Sequence, residues 1–411
     1  MRLKPGIISA VLLGLASGGA AAAQEGLTLV TPEAAGLAPA PLGEVSRLLD
    51  SFVIEGRIAG AVVGVARGGR VGYLEAVGAQ DIATGAPMTE RSLFRIYSMT
   101  KAVTAVAVMM LYEEGRFQLS DPVSEYLPQF GRVVVLNPDG STRPPSRPPT
   151  IEDLLLHTAG LSHRSSAEYR TANVRARDIS LEQFIDNIVR VPLRADPGEE
   201  YRYSASPTVL GRLVEVWSGQ PYDVFVEERI LAPLGMSDTG FWVEPADQGR
   251  LATMYQASDS GLQPYEIEDV PFTVKPALME GAVGLVSTVP DFLRFSQMLL
   301  NRGELGGTRL LRETTVDMMT RNGLPDAILA SRRGGTGWAL GNYSVVVDAA
   351  SADAGAHGGE YRWDGSAGTE FWVDPSTRTV VVTMWQSSPA NPGQLRQRIV
   401  GLVREAVEGM P

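Results

Sequence analysis

Residues 95–104 read RIYSMTKAVT, placing Ser98 three positions before Lys101. The stretch opens MTKAVTAVAVMMLYEE (99–114), apolar nearly all round and followed by Gly115, a residue suited to a helix C-cap. An all-round apolar helix of this length is predicted to lie at the centre of a fold. Positions i and i+3 share one face of a helix. A serine in the first turn meets unpaired backbone N–H groups and the positive end of the helix dipole. A lysine one turn later reaches its hydroxyl. Burial disfavours the ammonium form, and a neutral amine beside serine is a general base beside a nucleophile.

The chain hardly uses lysine otherwise. Of 36 basic residues, only Lys4, Lys101 and Lys275 are lysines. Arginine stays protonated at any working pH, whereas a desolvated lysine can give up its proton. A lysine kept inside an apolar run is consistent with use of that difference.

Working outward, the 411 residues are 44% hydrophobic with 44 Gly and 27 Pro, a globular composition for one large domain or two interleaved ones. Net charge is −11 and no Lys/Arg run stands out, which argues against nucleic acid and anionic membranes as partners. The N-terminus, MRLKPGIISAVLLGLASGGAAAAQ, has two basic residues, a short apolar stretch and small residues ending at Ala23. It reads as a signal peptide over 1–23, too short in its apolar part to span a bilayer. The expectation is a periplasmic or secreted protein with no membrane span in the mature chain. Cysteine is absent, so disulfides and a cysteine-linked lipid anchor are excluded.

Residues 44–55 carry helical spacing, and 59–78 read as two strands around Gly68-Gly69. Thr150 is a predicted N-cap for TIEDLLLHTAGL (150–161), with acidic residues in its first turn. Residues 151–240 read as short helices and loops. Strands return at 343–348, 368–374 and 379–386, with DPSTR as a turn between the last two, and a final helix is expected at about 391–408. β-rich ends around a helical middle imply an α+β fold: an antiparallel sheet built from distant parts of the chain, flanked by helices.

Several chemistries lack their residues. There is no thiol nucleophile, G-x-S-x-G elbow, Walker A loop or H-E-x-x-H helix. The histidines are His157, His163 and His357, and no pattern joins them into a Ser-His-Asp triad. His157 reads as a hydrogen-bonded structural histidine within an apolar helix.

SMTK resembles the S-x-x-K motif of serine β-lactamases and penicillin-binding proteins. The surrounding stretches 92–128, 150–161, 197–236, 284–305 and 368–375 resemble class C β-lactamases and, most of all, the family VIII carboxylesterases that share their fold. The resemblance runs from about residue 40 to the C-terminus. It implies one β-lactamase-like serine hydrolase over 24–411, with an α/β part at about 27–115 plus 270–411 and a helical part at about 116–269. It also implies roles: Ser98 as acylated nucleophile, Lys101 as its base, and Tyr203 of YSAS as proton shuttle, its phenol ionising more easily beside a lysine ammonium. The oxyanion hole would use the Ser98 N–H and, from the third motif, the Ser366 N–H.

Two departures point away from antibiotics. The lactamase Tyr-x-Asn has Ala205 at its third place, and the Lys-Thr-Gly motif is replaced by Trp363-Asp364-Gly365. Groups that hold a β-lactam carboxylate are thus missing, while Trp363 and Gly365 suit an acyl or alcohol group. The leading expectation is a cofactor-free, metal-free carboxylesterase for small, short-chain acyl esters. The alternative is a class C-like β-lactamase or D,D-peptidase, possible also as a side activity. A non-catalytic periplasmic binding protein is the third reading, opposed by the intact Ser98, Lys101 and Tyr203.

Overall fold

The computed structural model describes residues 27–267 and 272–410. The expected signal peptide at 1–23 lies outside the described residues. Among those described, no helix is long and apolar enough to cross a membrane.

A nine-stranded sheet forms the centre. Its strands are β1 (Thr28–Leu29), β2 (Gly60–Arg67), β3 (Arg70–Asp81), β4 (Ala86–Pro87), β5 (Thr336–Trp338), β6 (Ser344–Val346), β7 (Tyr361–Gly365), β8 (Thr369–Asp374) and β9 (Thr379–Trp385). The order is β1-β3-β2-β9-β8-β7-β6-β5, with β4 beside β3. The hairpin at Gly68-Gly69 forms as expected, with Arg67 opposite Arg70 and both glycines at positive φ. N- and C-terminal parts join where β2 pairs antiparallel with β9, Val65 facing Val381. The one departure from an antiparallel sheet is the two-residue β1, parallel to β3.

Alternation decides what covers each face. Ala61, Val63 and Val65 of β2 and Val381 and Trp385 of β9 pack on helices α1 (Pro39–Ile54) and α6 (Leu395–Glu408). Val62, Ala66, Val380, Val382 and Met384 turn to the larger core, with α2 (Thr100–Glu113) and α5 (Val289–Leu300). With both faces covered, β2 and β9 read as nearly unbroken apolar runs.

Residues Thr100–Leu111 of α2 are all buried, so the helix is central as its composition required. Two further helices border the site: α3 (Ile151–Leu156) and α4 (Ser206–Ser218), inserted between the sheet's two halves in sequence. Thr150 caps α3 in a capping box with Asp153. His157 does not lie within that helix; it ends it, in the left-handed conformation at φ 58°. Leu154, Leu155 and Leu156 are buried, and the chain must turn sharply there to lead Ala159 and Leu161 into the same core.

Candidate active site

Ser98 does not open α2 directly. It sits in a single 3₁₀ turn, Tyr97–Met99, that leads into the helix at Thr100. Tyr97 has φ 41°, a strained value for a residue with a bulky side chain. The strain fits a sharp turn that presents the next side chain. Lys101, one turn on, is 1% exposed, and its Nζ lies 3.2 Å from Ser98 Oγ. The same nitrogen donates to the Ala282 carbonyl oxygen at 2.7 Å. Burial holds the Lys101 amine well below its usual pKa, and the Arg164 charge pushes the same way. A neutral amine with one N–H committed to Ala282 can aim its lone pair at the serine hydroxyl.

Ala282 belongs to a strap tied down on α2. Thr104 Oγ1 donates to the Gly281 carbonyl at 2.6 Å, and the Leu285 N–H donates to Thr100 Oγ1 at 3.1 Å. Gly281 approaches α4 so closely that a Cβ would stand 2.4 Å from the Pro207 carbonyl oxygen.

Tyr203 precedes α4 and lies across the pair, its ring centroid 4.7 Å from Lys101 Nζ. His157, His163, Trp338 and Trp363 surround it, with centroid distances of 4.8, 5.7, 6.0 and 5.3 Å. Trp363 donates its indole N–H to Tyr203 Oη at 3.1 Å, and Ser98 also acts on the phenol. Burial nevertheless raises the Tyr203 pKa. The expectation of an easily ionised phenol is thereby corrected. Its premise was a neighbouring ammonium, and the same burial that encloses the tyrosine also disfavours the charged form of the lysine. At neutral pH the phenol keeps its proton.

The third motif reaches the nucleophile turn through β7. Thr369 Oγ1 donates to the Ile96 carbonyl at 3.3 Å, and a Cβ on Gly365 would lie 2.4 Å from that same oxygen. Only glycine lets the strand end come so near the turn carrying Ser98. Ser366 follows immediately, and among the described residues no backbone carbonyl takes its N–H. Arg396 of α6 fixes this corner from behind, bonding Asp364 and the carbonyls of Gly365 (3.2 Å) and Thr369 (3.3 Å).

Ser98, Lys101, Tyr203, Trp363, Gly365 and Ser366 thus converge from the 3₁₀ turn and first turn of α2, the segment leading into α4, and the end of β7 with the residue after it. Trp363 is half-buried and packs edge-on against Trp338 at 4.5 Å, so it is more than an exposed apolar wall. His157 has the structural place expected: it is fully buried, and its Nδ1 accepts the Ser204 N–H at 3.1 Å. Sequence reasoning passed over Arg164, Trp338 and the Ala282 carbonyl. Arg164 lies three residues beyond HTAGL and has no spacing partner to draw notice; the carbonyl has no side-chain signature at all. A separate cavity of about 440 Å³, between Leu231, Phe241, Trp242 and Val286, contains none of these residues.

The fold and the buried serine–lysine pair define the class, a serine hydrolase. The chain belongs to the Beta-lactamase family, whose model matches residues 45–404. Esterase EstB of Burkholderia gladioli is 32% identical over 354 residues, covering 80% of this chain and 86% of that protein. A putative D-alanyl-D-alanine carboxypeptidase of Escherichia coli is 26% identical over 408 residues, 93% of this chain and 90% of its own. The solved structure of EstCE1, a hydrolase with promiscuous acyltransferase activity, superposes with a TM-score of 0.76 at 29% identity, covering 89% of this chain and 98% of that one.

Proposed function

We propose that the protein is a carboxylesterase that cleaves short-chain acyl esters through an acyl-enzyme on Ser98. The observation that carries the reading is the 3.2 Å contact between Ser98 Oγ and a buried Lys101 whose pKa burial holds well below its usual value. Lys101 takes the Ser98 proton as Oγ adds to the ester carbonyl. The resulting oxyanion is received by the N–H groups of Ser98 and Ser366. Tyr203, protonated and adjacent to Ser98, relays a proton to the departing alkoxide and is recharged from Lys101. Water then attacks the acyl-enzyme with the same groups acting in reverse. The likeness to EstB and EstCE1 supports ester substrates. Trp363 in place of a lysine supports the same choice, since it offers Tyr203 a neutral donor. The leader-like first 23 residues support export to the periplasm or beyond.

The likeness to the carboxypeptidase supports a second reading, action on D-alanyl peptides or β-lactams. One experiment separates the two. Purified protein and Ser98→Ala are offered p-nitrophenyl butyrate and a chromogenic cephalosporin in parallel. Ester turnover that vanishes in the variant is the expected result. Efficient cephalosporin turnover with little ester cleavage would replace the first reading by the second.

A further inference from the structure

Tyr222 carries a phenol that the reaction above does not use. It opens the short helix Tyr222–Val226, and its side chain is fully buried. Its ring is closely packed: Phe241 meets it edge-on at 5.3 Å, and a Cβ on Gly211 of α4 would stand 3.4 Å from it. Its Oη lies 2.6 Å from Thr104 Oγ1, and among the described residues that oxygen has no other hydrogen-bond partner. Thr104 is itself fully buried, three residues beyond Lys101 on α2.

The order of protons in this pair follows from the partners. A buried phenol O–H needs an acceptor, and Thr104 Oγ1 is the one within reach. With that lone pair taken, the Thr104 hydroxyl gives its single proton to a carbonyl. Two carbonyls are near: Gly281 at 2.6 Å and Thr100, one turn back in the helix, at 3.2 Å. A threonine within a helix readily bonds back to the carbonyl four residues earlier. The phenol holds the threonine oxygen by a lone pair and so limits the rotation of its hydroxyl, and the shorter contact marks Gly281 as the acceptor. Hydrogen bonds linked in a chain also strengthen one another.

The Gly281 carbonyl belongs to the peptide unit that leads into Ala282, whose own carbonyl receives Lys101 Nζ at 2.7 Å. That unit is planar, so fixing its oxygen fixes the entry to Ala282. Farther along, the Leu285 N–H on Thr100 Oγ1 ties the strap a second time. Thr100 and Thr104, one turn apart on α2, hold the strap at two points, and Lys101 reaches it from between them. We propose that Tyr222 is a positioning residue for the catalytic amine: its phenol turns the Thr104 hydroxyl onto the Gly281 carbonyl, which sets the Ala282 carbonyl and so the direction in which Lys101 faces Ser98. The inference rests on Lys101 as the base of the esterase reading and adds a group outside the cleft that controls it.

The test compares variants of the full chain on p-nitrophenyl butyrate, with thermal unfolding measured beside each. Tyr222→Phe keeps the ring and leaves the Thr104 hydroxyl its carbonyl acceptor, so the fold should stand. Its kcat is expected to fall about tenfold, the effect of a misdirected base, with KM held within about twofold. Thr104→Val cuts the relay at its middle and should lose at least as much. Thr104→Ser keeps the hydroxyl and should retain most of the activity. Tyr222→Phe combined with Thr104→Val should be no slower than Thr104→Val alone, because both act through one path. A Tyr222→Phe kcat within about twofold of wild type would overturn the inference. Losses that multiply in the double variant, or a KM that rises as far as kcat falls, would overturn it as well. Should Thr104→Val fail to fold, Tyr222→Phe and Thr104→Ser decide alone. A wild type that does not cleave this ester would remove the esterase reading; the same variants are then compared on the chromogenic cephalosporin, where the same pattern is expected. A wild type that turns over neither substrate would remove the esterase reading and this inference together.

Discussion

Trp363 donates its indole N–H to the Tyr203 phenol oxygen, 3.1 Å away, at the position where the resemblance to lactamases would place a lysine. A lysine there would bring a second titrating charge within reach of Lys101. An indole N–H does not titrate, so Tyr203 keeps one fixed donor at every working pH. Trp363→Phe retains the ring and removes the donor. Loss of one hydrogen bond of about 1 kcal/mol predicts a drop of about five- to tenfold in kcat/KM for p-nitrophenyl butyrate. Unchanged kcat/KM would show that the Trp363 donor plays no part in handling the proton.

Lys101 should cost the fold stability. Burial holds its folded-state pKa well below the usual 10.5, up to which the unfolded chain keeps the proton. Between the lowered folded value and 10.5 the unfolded state holds more protons, so native stability rises with pH in that window. Lys101→Met fills the same space without a polar head. It should be inactive yet more stable by about 1–4 kcal/mol near neutrality. Denaturant titrations from pH 7 to 10 should show the gap between the two proteins narrowing as pH rises. A constant gap would mean that Lys101 is charged in the folded protein.

Arg164 gives the acid limb of the rate profile its position. Its charge, second only to burial, keeps the Lys101 proton off. Removing that charge in Arg164→Gln lets the amine hold its proton to higher pH. The acid limb of kcat/KM for the uncharged p-nitrophenyl butyrate should therefore move to higher pH, with activity partly recovered on the alkaline side. A profile of unchanged shape, merely lowered, would show that Arg164 does not tune the amine.

How far these relationships were legible in the sequence depends on their range. The α2 helix, the Gly68-Gly69 hairpin, the strands β8 and β9 and the Thr150 cap are local patterns, written in neighbouring residues. Ser98 and Lys101 share one helical turn and were readable for the same reason. The 3₁₀ turn at Tyr97 was not, because its contacts are with Gly365 at the end of β7 and Thr369 at the start of β8, some 270 positions away along the chain. The direction of the Tyr203 pKa shift was misjudged for a related cause. Desolvation is the sum of His157, His163, Trp338 and Trp363 closing around one phenol, and no single spacing in the sequence encodes it. Arg164 stayed unnoticed because one arginine among many carries no pattern until Ser366 is seen beside it.

Gly365 offers the sharpest test of how β7 serves the nucleophile. Its backbone angles are open to any residue, so the demand for glycine is one of space alone. An added Cβ would stand 2.3 Å from Thr369 Oγ1 and 2.4 Å from the Ile96 carbonyl oxygen. The threonine hydroxyl can rotate away, at the loss of its bond to Ile96; the carbonyl, two residues before Ser98, cannot. Gly365→Ala must therefore push the end of β7, and the Ser366 N–H with it, away from the turn that carries the serine. Overpacking of this kind costs about 1–3 kcal/mol of stability. The catalytic loss should be larger, about 100-fold or more in kcat, because an oxyanion donor displaced from its place is worth about 3 kcal/mol in the transition state. Thermal unfolding measured beside kcat on p-nitrophenyl butyrate decides the matter. A variant that loses stability but retains most of its kcat would separate the strand's approach from catalysis and exclude Ser366 as an oxyanion donor.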